Sequence, residues 1–265
     1  MNRDPNMSSV TTEQHGHLWV MGLNRVEKRN AFDPAMFFEL ADAYGELERN
    51  PDLWCGIVFA HGDHFSGGID LAAFAPLFEG GKDPFALRPG TVDPFGLRNH
   101  LSKPLVMAVQ GISFTIAIEM LLAADIRIAA SNARFAQIEV ARGLYPLGGA
   151  TFRLVREAGW GNAMRYLLTG DEFGAEVALK LGLIQEVVEP GEEFEHALAI
   201  AAKIEEQAPL GVQATLKSAW TSILEGEAHA AASLADDMPK IFNSTDFAEG
   251  VASFRERRKA RFTGK

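Results

Sequence analysis

Residues 103–129 read KPLVMAVQGISFTIAIEMLLAADIRIA, and they predict a strand, a helix and a second strand in succession. The run Leu105–Val109 is continuously apolar, which is typical of a strand in a parallel sheet that is covered on both faces. Residues 116–124 have helical spacing, and residues 126–129 again have the composition of a strand. This order favours a βαβ unit and therefore an α/β fold.

The same order occurs upstream, where residues 17–23 and 54–60 predict two strands with a helix between them. Asp33 is the expected N-cap of that helix, and Pro34 takes its first position. Pro51 follows its predicted end. The repetition indicates a layered α/β chain.

From Gly191 onward the apolar spacing is wholly helical, with predicted helices at residues 194–207, 210–224, 228–238 and 245–261. We therefore predict two regions. Residues 1–190 form an α/β core that carries the site, and residues 191–265 form a helical lobe for packing or assembly.

The composition is that of an ordinary globular enzyme, with 47% hydrophobic and 23% charged residues in a chain of 265. A net charge of −10 disfavours a nucleic-acid partner. Cys55 is the only cysteine, which excludes an internal disulfide and a cysteine metal cluster. Since no apolar run of about 18 residues and no apolar targeting core occur, we expect a cytoplasmic protein without a membrane partner.

The segment 74–99 contains four prolines and several scattered aromatic residues. Such a composition predicts a mobile excursion of the chain, for which a substrate lid is one interpretation.

Glu119 is the most informative residue, because nothing else ionises between Phe114 and Ala124. Burying an unpaired carboxylate costs several kcal/mol or raises its pKa by as much as about 3–5 units. That cost favours a functional role. The structural alternative is a carboxylate that is bonded to a neighbouring backbone or paired with an arginine.

Glu139 ends an alternating stretch and is unremarkable alone, since glutamates at strand ends are usually solvated. Together with Glu119 in one pocket, however, it would complete an acid/base pair. One carboxyl would be charged and accept a proton, and the other would be neutral and donate one.

Residues 61–71, HGDHFSGGIDL, lie between a predicted strand and a predicted helix. Glycines allow backbone N–H groups to approach a ligand there, so that the loop could hold a developing oxyanion. The alternatives are an ordinary turn capped by Asp70, with His61 and His64 solvated. The glycine spacing fits neither a Rossmann nor a P-loop fingerprint, and no metal-binding signature occurs.

Taken together, several segments resemble the crotonase superfamily, the enoyl-CoA hydratase/isomerase family. The similar segments are residues 24–31, 65–71, 103–111, 135–151 and 254–259. The resemblance extends from about Val10 to the end of the chain. It implies a crotonase-type core of repeated ββα units wound in a spiral, followed by a C-terminal helical trimerisation lobe.

The resemblance also implies an activity, that of an enoyl-CoA hydratase. Such a lyase adds water syn to a 2-trans-enoyl-CoA and gives a 3-hydroxyacyl-CoA, with coenzyme A as part of the substrate and no separate cofactor or metal. Counting from Gly111 puts Glu119 at the position of the water-activating glutamate and Glu139 at that of its partner, which protonates C2. The thioester oxygen would lie between the backbone N–H groups of Ile69 and Ile116.

Further site residues are implied by the same resemblance. The CoA-binding residues would be Arg25, Val26, Lys28, Ser66 and Gly68, with Phe254 and Arg257 from an adjacent subunit of a homotrimer or a dimer of trimers. The acyl pocket would be formed by Phe74, Leu77, Phe78 and Tyr145.

One departure from the family pattern concerns residues 115–117, Thr-Ile-Ala, where the family usually has a run of glycines. The backbone N–H survives any replacement except proline. We expect the Ile116 side chain to crowd the thioester or narrow the acyl site, in a backbone conformation unfavourable for a β-branched residue. Three alternatives therefore stay open. These are double-bond isomerisation through Glu139 alone, another crotonase-type acyl-CoA enzyme, and an acyl-CoA-binding protein with a closed oxyanion hole.

Overall fold

Two sheets organise the computed structural model, which describes residues 8–79 and 83–265. The strands are β1 (Val10–His15), β2 (Leu18–Leu23), β3 (Cys55–Ala60), β4 (Leu105–Val109), β5 (Ile112–Phe114), β6 (Ile126–Ala130), β7 (Arg134–Ala136), β8 (Phe173–Gly174) and β9 (Glu186–Val188). The larger sheet has the order β1-β2-β3-β4-β6-β9, and the smaller one β5-β7-β8. Only β1 and β8 run antiparallel to their neighbours among these strands.

Helices cover the sheets and complete the chain. They are α1 (Pro34–Arg49), α2 (Leu71–Phe78), α3 (Ile116–Leu121), α4 (Ala150–Ala158), α5 (Trp160–Leu167), α6 (Ala175–Lys180), α7 (Glu193–Glu205), α8 (Pro209–Glu225), α9 (Glu227–Ser233), α10 (Met238–Phe242) and α11 (Thr245–Glu256). Within the described parts of the chain, no helix combines the length and apolar character needed to cross a membrane.

The predicted ββα repeat is confirmed by how the strands divide between the sheets. β4 joins the larger sheet, β5 the smaller one, and α3 follows; β6, β7 and α4 repeat this course. Ser66, between β3 and α2, forms a parallel bridge to Ser113 and continues the smaller sheet by one more layer. Each turn of the spiral therefore brings a loop and a helix start to the same edge.

The β3 and β4 strands are buried on both faces, as their unbroken apolar runs predict. Along β4, Val106 and Ala108 belong to one apolar cluster, whereas Met107 and Val109 belong to the other. Such alternation between two cores is the reason why polar residues are absent from these strands. Cys55, at the start of β3, is buried in the same way.

α1 forms where its capping residues predict. The Asp33 side chain accepts a hydrogen bond from Met36 N at 2.9 Å, and Pro34 occupies the first helical position. An N-cap of this kind stabilises a protein by about 1 kcal/mol. The helix buries Phe37, Leu40 and other apolar residues against the core.

Some boundaries differ from the predictions. β1 is an additional edge strand whose exposed polar residues hide the strand pattern. The helix predicted at residues 228–238 ends earlier, because α9 stops at Ser233 and α10 starts only at Met238, with Pro239 in its first turn. α11 ends at Glu256 rather than at residue 261, since Arg257 takes a left-handed conformation with φ 54°.

The division into residues 1–190 and 191–265 stays a prediction, and the first seven residues lie outside the described part of the chain. α7 follows that boundary yet packs against β3 and β4. Its small residues Ala197 and Ala201 are fully buried in the apolar cluster that also contains Val106 and Ala108 of β4. The helix therefore covers the sheet, and α8–α11 come after it.

The described part of segment 74–99 is packed rather than loose, which corrects the interpretation of a mobile excursion. Residues 80–82 of the segment lie outside the described structure. Phe85 and Phe95 are buried, with ring centroids 5.2 Å apart. Asp93 accepts from Phe95 N at 2.9 Å and pairs with Arg98 at 3.0 Å. Of its described residues, Phe78 and Phe85 form part of the wall of the site.

Candidate active site

A cavity of about 210 Å³ lies between the start of α2, the start of α3 and the loop at residues 138–147. Glu119 and Glu139 both line it. The spiral explains why they meet, since α3 follows β5 and residue 139 follows β7, its parallel neighbour in the smaller sheet. Wider grooves run along α8–α10, where Asp237 is engaged in an ion pair with Lys217.

Glu119 lies on α3 and is only 3% exposed. Its Oε1 accepts hydrogen bonds from Gly148 N at 2.6 Å and Ala150 N at 3.4 Å, at the start of α4. Burial raises the pKa of Glu119 to about 8, and the charge of Glu139 adds to the rise, while the two N–H groups and Arg153 oppose it. Because both bonds engage Oε1, they hold the carboxyl in place and leave Oε2 unbonded.

Gly148 can only be a glycine beside this carboxyl. A methyl group added there would lie 2.7 Å from Glu119 Oε2 and 2.6 Å from the Phe95 ring. Close approach of the backbone is thus part of how Glu119 is held.

Glu139 begins a short 3-10 turn directly after β7. Burial raises the pKa of Glu139 to about 7. The amide of Gln137 faces it, and with its nitrogen turned to the carboxyl it donates to both oxygens, at 2.9 and 3.1 Å. Gln137 is 1% exposed and was missed by the sequence reasoning. Its signal was an amide in an otherwise apolar run two residues before Glu139.

The two carboxyls form an electrostatic pair. Both pKa values are raised into the neutral range, and the charge on one opposes ionisation of the other. Protons therefore leave the pair in two steps that belong to both groups. Near neutral pH one carboxyl is able to accept a proton while the other is able to donate one.

The N–H groups of Ile69 and Ile116 have no hydrogen-bond acceptor within residues 8–79 and 83–265. Ile69 lines the cavity just before α2. Ile116 is the first residue of α3, and the first N–H groups of a helix have no acceptor within that helix. Neither N–H is therefore committed to an acceptor in these residues, although only Ile69 of the two lines the cavity.

The structure corrects the expectation about Ile116. Its side chain is fully buried in the apolar core and does not line the cavity. The unfavourable backbone lies one residue earlier, at Thr115, with φ 50° and ψ −110°. Thr115 lines the cavity in its place, and its buried hydroxyl has no hydrogen-bond partner among the described residues.

The predicted CoA-binding residues differ in how free they are. Arg25 pairs with Asp33 at 3.2 Å and Asp70 at 3.1 Å, so two carboxylates already balance its charge. Val26 and Lys28 are exposed on the same loop.

Ser66 and Gly68 have hydrogen-bond partners within their own loop and its neighbours. The Ser66 hydroxyl donates to Asn30 O at 2.8 Å and accepts from Gly68 N at 3.1 Å. The Ser66 backbone bonds to Ile112 and Phe114. The polar groups of Ser66 and the N–H of Gly68 therefore hold the loop, and the predicted contact of these residues with coenzyme A stays a prediction.

Of the predicted acyl-pocket residues, Phe78 and Tyr145 line the cavity, whereas Phe74 and Leu77 do not. Phe74 is fully buried and contacts the Phe85 ring at 5.3 Å, because its face of α2 turns to the core. Leu77 is exposed. Sequence reasoning missed Phe85, which does line the cavity.

Phe254 and Arg257 lie at the end of α11, away from the cavity of this chain. Phe254 is 85% exposed. Their predicted contact with an adjacent subunit stays a prediction.

The other polar residues of the loop 61–71 have structural partners. Asp70 caps α2 through Ala73 N at 3.3 Å, which is the simpler of the two interpretations. His61 bonds to Thr11 Oγ1 at 2.9 Å, and neither His61 nor His64 lines the cavity. Among the described residues, no cluster of His, Cys, Asp and Glu is arranged to hold a metal ion.

Comparison with known proteins agrees with this architecture over nearly the whole chain. The crystal structure of a probable enoyl-CoA hydratase/isomerase from Mycobacterium abscessus is 46% identical, with a TM-score of 0.94, and the match covers 97% of this chain and 99% of that one. The enoyl-CoA hydratase EchA19 of Mycobacterium tuberculosis is 34% identical over 94% of both proteins.

The crotonyl-CoA hydratase of Syntrophomonas wolfei is 32% identical over 97% of this chain and 98% of its own length. A family profile described as enoyl-CoA hydratase/isomerase matches residues 13–265. With its spiral of ββα units and its two carboxyls in one cavity, the chain belongs to the enoyl-CoA hydratase/isomerase family.

Proposed function

We propose that this protein is an enoyl-CoA hydratase, a lyase that adds water syn to a 2-trans-enoyl-CoA and forms a 3-hydroxyacyl-CoA. The observation that carries the proposal is that Glu119 and Glu139 line one cavity with pKa values of about 8 and 7. Addition of water needs one group to accept a proton and another to donate one, and this pair supplies both. Relatives named as hydratases support it.

In the proposed mechanism the thioester oxygen lies between the N–H groups of Ile69 and Ile116. Negative charge grows on that oxygen as water adds at C3, and donors that are already in place stabilise it. Glu119, held through Oε1, accepts the proton of water at Oε2, and Glu139 delivers a proton to C2. The reacting form of the pair therefore has its proton on Glu139, and it is the less populated of the two singly protonated forms because the pKa of Glu119 is the higher. Both transfers use side chains of this protein, so we propose no cofactor beyond the coenzyme A of the substrate.

An acyl-CoA-binding protein with a closed oxyanion hole is less well supported. Closure would require an internal acceptor for the N–H of Ile69 or Ile116, and none lies in the described parts of the chain. The buried carboxyl of Glu119 would also be retained at a cost without use.

We also propose that the chain assembles as a homotrimer or a dimer of trimers through its C-terminal helices. Support comes from apolar residues of these helices that are exposed in the single chain, namely Leu224, Leu234, Phe242, Phe247 and Phe254. In such an assembly Phe254 and Arg257 would approach the CoA of a neighbouring subunit.

The test of the hydratase proposal is the ultraviolet absorbance of the conjugated thioester when the protein meets crotonyl-CoA and longer or branched enoyl-CoAs. We expect the absorbance to fall, and Glu119→Gln and Glu139→Gln each to slow that fall by a factor of about 100 or more. Glu176→Gln, an exposed glutamate on α6, is the control and should keep the wild-type rate. Wild-type rates in either cavity variant would refute the assignment of the pair.

A further inference from the structure

Thr115 lines the cavity, and the proposed mechanism explains neither its backbone conformation nor its unbonded hydroxyl. It has φ 50°, a region that β-branched residues rarely adopt and that costs on the order of 1–2 kcal/mol. Glycine would avoid that cost. Strain retained at a ligand cavity indicates that the side chain has a use there.

The backbone of Thr115 is held from both sides, so its conformation is well determined. Its N–H donates to Ala136 O at 2.9 Å, and its carbonyl accepts from Ile118 N at 2.9 Å and Glu119 N at 3.3 Å. The hydroxyl is the only polar group of the residue without a partner in the described structure. It is bonded to neither carboxyl of the pair, although Thr115 is only 8% exposed.

The position of the hydroxyl points to the ligand atom that it meets. A methyl group added at Gly68 would lie 2.5 Å from Thr115 Oγ1, so the hydroxyl rests against the Cα of Gly68. Gly68 directly precedes Ile69, and Thr115 directly precedes Ile116. The hydroxyl therefore belongs to the residue before Ile116 and packs against the residue before Ile69, and neither N–H has an acceptor in the described residues.

We infer that the Thr115 hydroxyl is a third hydrogen-bond donor to the thioester carbonyl oxygen, beside the N–H groups of Ile69 and Ile116. The inference rests on the proposed acyl-CoA thioester substrate. A carbonyl oxygen that gains negative charge accepts additional donors, and each donor that is already in place lowers the barrier. Thr115 is thus a catalytic residue, and its hydroxyl offsets the strain at φ 50°.

The experiment compares two variants that both lack the methyl group of Thr115. Thr115→Ser keeps the hydroxyl, and Thr115→Ala removes it. Serine and alanine differ by one oxygen atom, and neither is β-branched, so their backbone costs at φ 50° are similar. Thr115→Gly removes both the hydroxyl and the strain. Ser113→Ala is the control, because Ser113 also has a buried hydroxyl without a partner but does not line the cavity. Thermal unfolding identifies any variant that fails to fold.

The first readout is the hydration rate of crotonyl-CoA. We expect Thr115→Ala and Thr115→Gly to lose about tenfold to 100-fold in kcat, and Thr115→Ser to stay within about fivefold of the wild type. Thr115→Gly should be no less stable than the wild type despite its lower activity. Equal kcat in Thr115→Ser and Thr115→Ala would overturn the inference.

The second readout does not require turnover. The infrared carbonyl stretch of bound butanoyl-CoA, labelled with ¹³C at the thioester carbon, falls in frequency as donors polarise the bond. Wild type and Thr115→Ser should show the same lowered frequency, and Thr115→Ala a higher one. An unchanged frequency in Thr115→Ala overturns the inference whatever its rate. A wild type that polarises the carbonyl without hydrating crotonyl-CoA refutes the proposed hydratase alone.

Discussion

Glu119 and Glu139 illustrate at the residue scale how position sets chemistry. A solvated glutamate stays charged at neutral pH and cannot donate a proton, whereas burial in the cavity raises both pKa values into the neutral range. Backbone N–H groups limit that rise, those of Gly148 and Ala150 at Glu119 and its own at Glu139. At neutral pH the pair therefore holds a proton that it can donate to a substrate.

Glu119→Gln should stabilise the protein more at pH 8 than at pH 5. The pKa is about 8 in the folded protein and near 4.5 in the unfolded chain, so the wild type loses stability as pH rises between these values. Glutamine stays neutral and keeps the oxygen that accepts from Gly148. The melting temperatures of both proteins at the two pH values test this, with a gain at pH 8 on the order of a few kcal/mol. The same difference at both pH values would contradict it.

Gln137→Leu should move the activity profile to higher pH. A hydrogen bond to the charged form lowers a pKa, so its loss raises the pKa of Glu139 above about 7. The measurement is kcat/KM for crotonyl-CoA against pH, which in the wild type should fall below about pH 7 and above about pH 8. Superimposable profiles would show that the amide does not act on Glu139.

At the element scale, the start of α4 holds Glu119 on α3. The N–H groups of Gly148 and Ala150 both donate to Glu119 Oε1, and the missing side chain of Gly148 allows this backbone to approach the carboxyl. Sequence reasoning found the glycine-rich stretch before α4 but did not connect it with Glu119, because the bond joins residues 29 positions apart.

Gly148→Ala should reduce both stability and activity. The added methyl would meet Glu119 Oε2 and the Phe95 ring at less than 3 Å, and overpacking of this kind costs roughly 1–3 kcal/mol. Gly161→Ala on α5 is the matched control, since its methyl meets nothing within 4 Å and alanine favours a helix. Denaturant unfolding and the hydration rate test the pair of variants, and equal stability of the two would contradict the steric argument.

At the scale of the whole molecule, the last helices leave several large apolar residues exposed, as some positions of the α/β core such as Trp160 and Leu168 also do. Phe254 at 85% and Leu224 and Leu234 at 61% are unusual for a chain that stays alone in solution. An assembly that covers these residues would explain both their exposure and the location of α11.

Light scattering on the purified protein should give a mass of three or six chains. Phe254→Ala should raise KM for crotonyl-CoA, because the ring would contact the CoA of a neighbouring subunit, whereas Leu168→Ala removes a comparably exposed residue outside these helices. A monomer with unchanged KM in both variants would refute the assembly and the shared site together.

How much of the fold was predictable follows from how local each signal is. Asp33 and Pro34 predict the start of α1, and the unbroken apolar runs predict β3 and β4, so these elements were identified from the sequence. β1 was missed because an edge strand needs few apolar residues. The end of α9 was placed at Met238 instead of Ser233, because apolar residues at helical spacing continue past it as Leu234 and Met238.

By itself, the amino-acid sequence determined the alternation of strands and helices in the α/β core and singled out Glu119, since apolar runs, caps and a charge among apolar neighbours are local features, whereas the ββα units followed from the family resemblance. Only the tertiary structure decided that Arg25 is neutralised by two carboxylates, that Ser66 is used within its loop, and that Thr115 rather than Ile116 faces the cavity. These outcomes depend on contacts between segments far apart in the chain and on the backbone angles of one turn, and no local pattern encodes either.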